Sequence, residues 1–434
     1  MRYHIWTEGC QMNEADSEKL AAGLEKLGWQ PAEKADDADL AVVNTCVIRQ
    51  KAEDRAIGYM SRLRRLKEER GGMQIAVMGC MVGPRTEDLR QRFPFVDVWA
   101  RPQNFEVIVR QVLPEGELGG EFWPETFPEP KGPAAFVPVI HGCNKFCTYC
   151  IVPYRRGREK SRPVDDIVRE VRSLTARGVR EVTLLGQTVE AYGKDLPPIE
   201  PERRKPDLAD LFESLSEIRE LARIRFLTSY PRDMTDRIIR SVAESPKVCE
   251  HFNIPVQAGD NEVLARMRRG YTIEDYLDCV SRIRRNVPGA ALSTDVIVGF
   301  CGETEAQFLN TLAVLESVRF DKVHVAAYSP RPGTIAWRHI EDDVPQEEKM
   351  RRLHAVEELQ ERISREINAP LAGTTQEVLV EGQESGTFTG RNRANKLVHF
   401  QAPEPPAIGD LVDVRIEKAT AWSLQGRLAS AVPA

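Results

Sequence analysis

The stretch 140-IHGCNKFCTYCIVPYRRGREKSRP-163 places three cysteines within eight residues and follows them with a run of arginines. Cys143, Cys147 and Cys150 have the spacing C-x3-C-x2-C, directly after FVPVIHG, an apolar run with the length of a buried strand. In a barrel of parallel strands, the loop after a strand lies on the face where active sites are built. Structural zinc normally takes four protein ligands. The nearby His141 precedes a glycine at the strand end and is not counted as the fourth. Three thiolates on a 4Fe–4S cluster instead leave one iron open to a small molecule. An open iron that binds and reduces S-adenosylmethionine (SAM) starts radical chemistry.

Outward from this stretch the chain divides into four parts. From residue 134 the runs FVPVIHG, EVTLLGQ, IRFLTSY, HFNIPVQ, LSTDVIVGF and KVHVAAYS are expected strands, separated for the most part by amphipathic helices such as PVDDIVREVRSLTARG and TIEDYLDCVSRIRR. Six strands with intervening helices suggest an incomplete, TIM-like (βα) barrel over 134–370, ending in the long amphipathic helix QEEKMRRLHAVEELQERISREIN. Upstream, MRYHIW, LAVVNT and QIAVMG alternate with helical patterns, as in an α/β domain with an open parallel sheet over 1–113. The Pro-, Gly- and Glu-rich segment between them (114–133) is expected to be a linker. After Pro370, short β segments broken by Gly, Pro and Asn suggest a small all-β barrel over 371–434.

The upstream domain holds a second set of three cysteines. Cys10 follows MRYHIWTEG, Cys46 follows LAVVNT and Cys80 follows QIAVMG, each just past the carboxyl end of an expected strand. In an open α/β sheet those ends gather ligand sites at one edge. Three thiols distant in sequence are therefore expected to converge on a second cluster. Core cysteines would fall inside strands or on helix faces, as Cys279 does among Tyr276, Leu277, Val280 and Ile283. Cys249 has no partner at ligand spacing. Cys301, on a strand-end loop, is expected near the pocket but not as a ligand.

With 434 residues the chain has room for about three domains of roughly 150 residues each and needs no disulfide staples. Charged residues make up 29% and the net charge is -6, which argues against a wholly basic nucleic-acid coat but leaves room for local phosphate sites. MRYHIWTEGC lacks the apolar core of a signal peptide, and no apolar run is long enough to span a bilayer. A soluble, cytoplasmic protein with reduced thiols is expected.

TEGCQMN, VVNTC and VMGC, then the three-cysteine loop, then 390-GRNRANKLVHF-400, together resemble the radical-SAM methylthiotransferases from end to end. TEGCQMNEADS and CNKFCTYCIVPYRRGRE are most similar to the MiaB-type branch that acts on tRNA. The resemblance implies an auxiliary 4Fe–4S cluster on Cys10, Cys46 and Cys80, a radical-SAM cluster on Cys143, Cys147 and Cys150, and a C-terminal RNA-binding TRAM barrel. It also implies two SAM molecules per turnover, one as methyl donor and one as radical source. Transfer of a methylthio group to carbon 2 of an isopentenyl-modified adenosine beside the anticodon would follow. No general acid or base is needed, because an unactivated C–H bond offers such groups nothing to act on. By resemblance, Tyr149, Gln187, Ser229, Gln257 and Asp295 surround SAM. Arg155, Arg156 and Arg158 beside the cluster loop, and Arg391, Arg393 and Lys396 in the tail, are expected to hold RNA phosphates. The implied partners are a tRNA anticodon stem-loop and a reducing donor such as flavodoxin or ferredoxin, with the chain acting as a monomer.

The chain departs from the family pattern at Cys301, where Pro is common, at Ala258, where Ser is common, and in GQTVE, which places Glu190 where a neutral residue is frequent. Two other outcomes are compatible with the motifs. One is methylthiolation of threonylcarbamoyl-adenosine or of a ribosomal-protein side chain. The other is a non-catalytic iron–sulfur protein that binds RNA or transfers electrons.

Overall fold

The computed structural model describes residues 1–47, 50–102, 104–112, 129–200 and 203–429. Most of the expected linker (114–128) and the last residues of the tail (430–434) lie outside the described residues.

The first domain is a parallel sheet of β1 (Arg2–Thr7), β2 (Gln30–Pro31), β3 (Leu40–Thr45), β4 (Gln74–Gly79) and β5 (Val98–Ala100), in the order β2-β1-β3-β4-β5. β3, LAVVNT, is buried at every position, as a central parallel strand covered on both faces must be. α1 (Gln11–Lys26) and α4 (Glu106–Val112) cover one face around Leu20, Leu24, Val42, Met78 and Ile108. α2 (Gln50–Arg70) covers the other through Ala56, Met60 and Leu63, and the short α3 (Glu87–Arg92) leads into β5. Strand order reverses between β1 and β3, the switch point where such sheets bind ligands. The loops after β1, β3 and β4 are thus neighbours.

The second domain is a curved wall of parallel strands. β6 (Ala134–Pro138), β9 (Glu181–Leu185) and β10 (Arg223–Leu227) form one half; β11 (His251–Asn253), β12 (Ala291–Val298) and β13 (Lys322–Ala327) form the other. The Cys249 N–H donates to the Ile224 carbonyl (2.9 Å) and Ile224 bridges Val248, which joins the halves. The expected incomplete barrel is therefore present. A hairpin of β7 (Ile140–His141) and β8 (Lys160–Ser161) branches from its first strand and carries α5 (Val152–Arg156). Helices α6 (Val164–Thr175), α7 (Leu208–Ser216), α8 (Asp236–Glu244), α9 (Asn261–Arg266), α10 (Ile273–Asn286), α11 (Glu305–Val318) and α12 (Ile335–His339) accompany the wall. Capping boxes start α7 (Asp207 and Asp210), α10 (Thr272 and Asp275) and α11 (Thr304 and Gln307), satisfying N–H groups that a helix start leaves free.

The tail is a closed barrel of β14 (Thr375–Glu384), β15 (Thr387–Asn392), β16 (Leu397–Gln401), β17 (Leu411–Ala419) and β18 (Leu424–Leu428), ordered β14-β15-β16-β18-β17 around Val380, Phe388, Phe400 and Val414. It docks under the central barrel, at the amino ends of the strands. Arg223 and Arg225, near the start of β10, donate to the carbonyls of Arg391 (2.8 Å), Asn392 (2.7 Å) and Arg393 (2.9 Å). The buried Arg225 also pairs with Glu181, the first residue of β9, at 2.8 Å. α13 (Gln346–Asn368) runs from the opposite end, where Arg352 meets Glu303 (2.9 Å), to the tail, where Asn368 donates to the Thr420 carbonyl (2.8 Å). Its length, roughly 34 Å at 1.5 Å per residue, separates the tail from the carboxyl ends of the strands. Among the described residues no helix is long and apolar enough to cross a membrane.

Candidate functional site

Cys10, Cys46 and Cys80 stand immediately or a few residues past β1, β3 and β4. A Cβ on Gly9 would lie 2.9 Å from the Cys46 Cβ and 2.6 Å from Asn13 Nδ2, so the β1 loop is pressed onto the β3 loop. Asn13 fixes this contact. Its Nδ2 donates to the carbonyls of Glu8 (3.1 Å) and Thr45 (3.0 Å), and Asn44 donates to the Asn13 carbonyl (2.8 Å). The Cys80 N–H donates to the Thr45 carbonyl (2.8 Å), which brings the third loop to the same edge. Buried amides must find partners; here those partners are the three cysteine loops.

The loop carrying Cys143, Cys147 and Cys150 is clasped at its base by β7 and β8. Gly142 takes φ +74°, and a Cβ there would stand 2.1 Å from the Arg158 carbonyl. The Cys143 N–H donates to the Gly157 carbonyl (3.1 Å). Between the ligands Phe146 adopts φ 51°, a conformation uncommon outside glycine and concentrated at functional sites. Its ring carries the Arg158 guanidinium at 4.5 Å and meets Tyr154 edge-on at 5.7 Å. Thr148 donates through N–H to Met267 (3.0 Å) and through its hydroxyl to Arg266 (2.9 Å), and accepts from Ala336 (2.8 Å).

The two loops meet. Cys10 packs with Met12, Ala15 and Phe136 against Leu185 and Leu227, the last residues of β9 and β10. Ile151, next to Cys150, belongs to the same apolar cluster as Cys80, Met81 and Val82. Both sets of thiols therefore border one junction at the carboxyl ends of the barrel strands.

Burial raises the thiol pKa of Cys80 and Cys143, and pushes that of Cys150, with help from Cys147, up to about 12. A metal must displace these protons to bind. Each set has a buried guanidinium beside it. Arg269 Nη1 donates to Cys147 Sγ (3.2 Å) and to the Tyr149 hydroxyl (3.3 Å). Arg156, with a side chain only 1% exposed, ion-pairs with Asp16 at 2.9 Å, and its Nη1 is buried with no oxygen or nitrogen acceptor among the described residues. Three soft thiols with an adjacent cation and an orphaned N–H donor fit a negatively charged iron–thiolate cluster. Among the described residues no three His, Cys, Asp or Glu side chains close around a single metal ion.

Three of the expected SAM residues, Ser229, Gln257 and Asp295, are linked through hydrogen bonds past or along the barrel strands. The Ser229 N–H donates to the Asn253 carbonyl (2.9 Å), Asn253 Nδ2 donates to Asp295 Oδ2 (3.3 Å), and the Gln257 N–H donates to the Asp295 carbonyl (2.9 Å). Asp295 and Ile297 are the partly exposed positions of β12. Gln257 (φ 70°) and Thr228 (φ 71°) are further left-handed residues at strand ends. Gln187 precedes Thr188, whose hydroxyl lies 3.7 Å from Cys143 Sγ. Tyr149 packs edge-on against Phe300 at 6.4 Å. Glu190 is buried beside Ser229. Its Oε2 accepts from the Tyr230 N–H (3.1 Å), and burial raises its pKa to about 8. Cys301 and Cys279 are core residues, and Cys301 also lies against the Tyr328 hydroxyl.

The expected phosphate-binding cations separate into two groups, and several need correction. Arg156 is buried and spent on Asp16. Arg393 pairs with Glu250 (2.7 Å), and Lys396 with Asp321 (2.5 Å). All three hold domains together, because acidic partners inside the protein neutralise their charge. Arg155 wedges into the space left by Gly83, where a Cβ would lie 1.8 Å from its Nη1. Arg158 is exposed, and Arg391 is partly exposed 3.7 Å from Glu381. Sequence reasoning missed Asn13, Asp16, Thr188, Asn253 and Arg269. Asn13 and Asp16 share a helix face after Cys10, the one available signal; Arg269 lies in a basic run, MRRGY, that carries no ligand pattern.

Three protein families match the chain: the uncharacterized protein family UPF0004 over residues 2–101, the Radical SAM superfamily over 137–315 and the TRAM domain over 371–429. The chain is 46% identical to a tRNA-2-methylthio-N(6)-dimethylallyladenosine synthase of Dehalococcoides mccartyi, covering 98% of each chain. It is 46% identical to a protein of that name from Roseiflexus sp., over 99% of this chain and 90% of the other, and 43% identical to one from Thermotoga petrophila, over 99% and 97%. Among solved structures, the radical S-adenosylmethionine methyltransferase TsrM from Kitasatospora setae aligns with TM-score 0.55 at 13% identity, over 89% of this chain and 80% of that one. The cobalamin-dependent S-adenosylmethionine radical enzyme OxsB aligns with TM-score 0.51 at 13% identity, over 82% and 55%. These two show a shared fold alone.

Proposed function

The chain belongs to the family of tRNA-2-methylthio-N(6)-dimethylallyladenosine synthases, and we propose that its two cysteine sets hold two 4Fe–4S clusters that face one substrate cavity. As a member it is a radical-SAM methylthiotransferase that uses a 4Fe–4S cluster and SAM. The observation that carries the two-cluster reading is the shared junction: Cys10 packs on the strand ends of the barrel, and Ile151 packs beside Cys80. Cys143, Cys147 and Cys150 would hold the radical-SAM cluster, and Cys10, Cys46 and Cys80 the auxiliary one. When bound, the radical-SAM cluster and SAM supply an oxidant strong enough to take hydrogen from an unactivated adenine carbon.

The chain's own residues bind, orient and shield. Asp295 and Gln257 would hold SAM across the barrel mouth, and Ser229 stands beside Glu190. Tyr149, held by Arg269, offers a ring to the adenine. Two SAM molecules per turnover, a flavodoxin- or ferredoxin-like donor, a cytoplasmic setting and a monomeric state complete the reading. Arg158 lies beside the mouth and the tail barrel at the far end, so an anticodon stem-loop entering the mouth would run along the barrel side to reach the tail. The target base must leave its stack to enter. Full-length identity to synthases of the dimethylallyl-adenosine class favours that base over threonylcarbamoyl-adenosine or a protein side chain.

The test is anaerobic reconstitution with SAM, a reductant and isopentenylated tRNA that lacks the methylthio group. Nucleoside mass spectrometry should find the 2-methylthio product together with 5′-deoxyadenosine. Deoxyadenosine without the modified nucleoside would reject this substrate, and neither product from cluster-loaded protein would reject the catalytic reading.

A further inference from the structure

Arg156 is the last residue of α5, six positions after Cys150, yet its side chain lies in the first domain. One terminal nitrogen, Nη2, donates to Asn13 Oδ1 and to Asp16 Oδ2, both at 2.9 Å. Asn13 is the residue that ties the Cys10 loop to the Cys46 loop through Glu8 and Thr45. The other, Nη1, is buried and, among the described residues, has no oxygen or nitrogen acceptor, and the one further hydrogen-bonding partner of this guanidinium is the Cys80 sulfur. After Asp16, the thiols of Cys80 and Cys10 interact most strongly with this guanidinium, and the Cys80 sulfur lies against it. An orphaned N–H on a buried cation is costly unless a group absent from the bare chain accepts it. Sulfur is what the surroundings offer.

We propose that Arg156 is a positioning residue for the auxiliary cluster: its free Nη1–H donates to sulfur at Cys80, while Nη2 locks the radical-SAM loop to the helix that follows Cys10. The inference rests on the reading that Cys10, Cys46 and Cys80 hold a cluster. One side chain thereby sets both the charge beside that cluster and the distance between the two loops. Donors around metal ligands typically change affinity or activity by about 10–100-fold when removed.

The test uses full-length protein with Cys143, Cys147 and Cys150 replaced by Ala, so that only the auxiliary cluster remains. In this background Arg156→Met should lower the midpoint potential of the cluster and shift its EPR signal, because loss of a nearby positive charge disfavours the reduced form. Arg156→Lys should recover part of the potential. In the complementary background, with Cys10, Cys46 and Cys80 replaced by Ala, Arg156→Met should leave the remaining cluster's signal in place. With all cysteines present, Arg156→Met should lower the ratio of methylthiolated tRNA to 5′-deoxyadenosine by about tenfold or more. The double variant Arg156→Met/Asp16→Leu removes the buried ion pair whole and should restore the melting temperature, yet keep the altered potential. An auxiliary cluster with unchanged potential and EPR signal in Arg156→Met would overturn the proposal and leave the two-cluster reading standing. A background that binds no iron at all would overturn the two-cluster reading itself.

Discussion

Replacing Glu190 by Gln should stabilise the protein in a way that grows with pH. The carboxyl is buried, and the Tyr230 N–H on Oε2 and the Ser229 hydroxyl beside it offset only part of the cost of burying its charge. Burial, the dominant cause, lifts its pKa from the ordinary 4.5 to about 8. In the unfolded chain the group ionises as pH rises through 4.5, whereas the folded protein holds its proton until about 8. The folded state thus binds the extra proton across that window, and stability falls as pH rises through it. At 1.36 kcal/mol per unit, the penalty at pH 7 is about 3 kcal/mol. A Gln side chain keeps the shape, accepts the Tyr230 N–H through its carbonyl oxygen, and never ionises. Scanning calorimetry of holoprotein at pH 5, 6, 7 and 8 should find the two proteins nearly alike at pH 5. By pH 7 the variant should melt about 5 °C or more higher. An equal difference in melting temperature at pH 5 and pH 8 would refute the reasoning, since it would mean that Glu190 titrates alike in both states.

Three further outcomes follow from the geometry. Gly142→Ala places a Cβ 2.1 Å from the Arg158 carbonyl at φ +74°, so iron content should fall by one cluster and 5′-deoxyadenosine formation by about tenfold or more, measured after anaerobic reconstitution. Arg225→Ala removes the nearer cation from the buried Glu181 carboxylate, which keeps Arg223 at 3.8 Å, and strands two carbonyls of the tail; the cost of about 1–3 kcal/mol should make the tail barrel more susceptible to limited proteolysis while the first two domains resist. Arg158→Ala should weaken tRNA binding and reduce its logarithmic salt slope by about 0.7, whereas Arg393→Ala, whose charge is spent on Glu250, should leave that slope unchanged in a filter-binding series.

The sequence carried the large elements because their signals are long. Five of the six barrel strands and α13 have enough residues to express a pattern, the three-residue β11 is legible only through the longer apolar run HFNIPVQ around it, and the cysteine spacing marks both loops. β2 and β5, with two and three residues, were too short to show any period. β18, LQGRL, alternates for only five residues around Gly426, which is needed because a Cβ there would sit 2.2 Å from the Arg415 carbonyl. The arginines were legible as charge but not as contacts. Whether Arg156 meets a phosphate or Asp16 depends on how two domains pack, and nothing local to RRGR encodes that. Arg393 and Lys396 likewise match a basic motif by position alone, while docking to the amino ends of the barrel strands commits them to Glu250 and Asp321. Arg269 was invisible for the same reason: more than a hundred residues separate it from Cys147.

The central claim is that two cysteine sets on two domains each hold a 4Fe–4S cluster at one junction. Mössbauer spectroscopy of iron-57 protein tests this most directly, on the natural chain and on two triple variants in which Cys10, Cys46 and Cys80, or Cys143, Cys147 and Cys150, become Ala. Iron for two 4Fe–4S clusters is expected in the natural chain and for one in each variant, and of the two variants only the one that keeps Cys143, Cys147 and Cys150 should show a spectrum perturbed by SAM. Full iron content after loss of Cys10, Cys46 and Cys80 would contradict the claim.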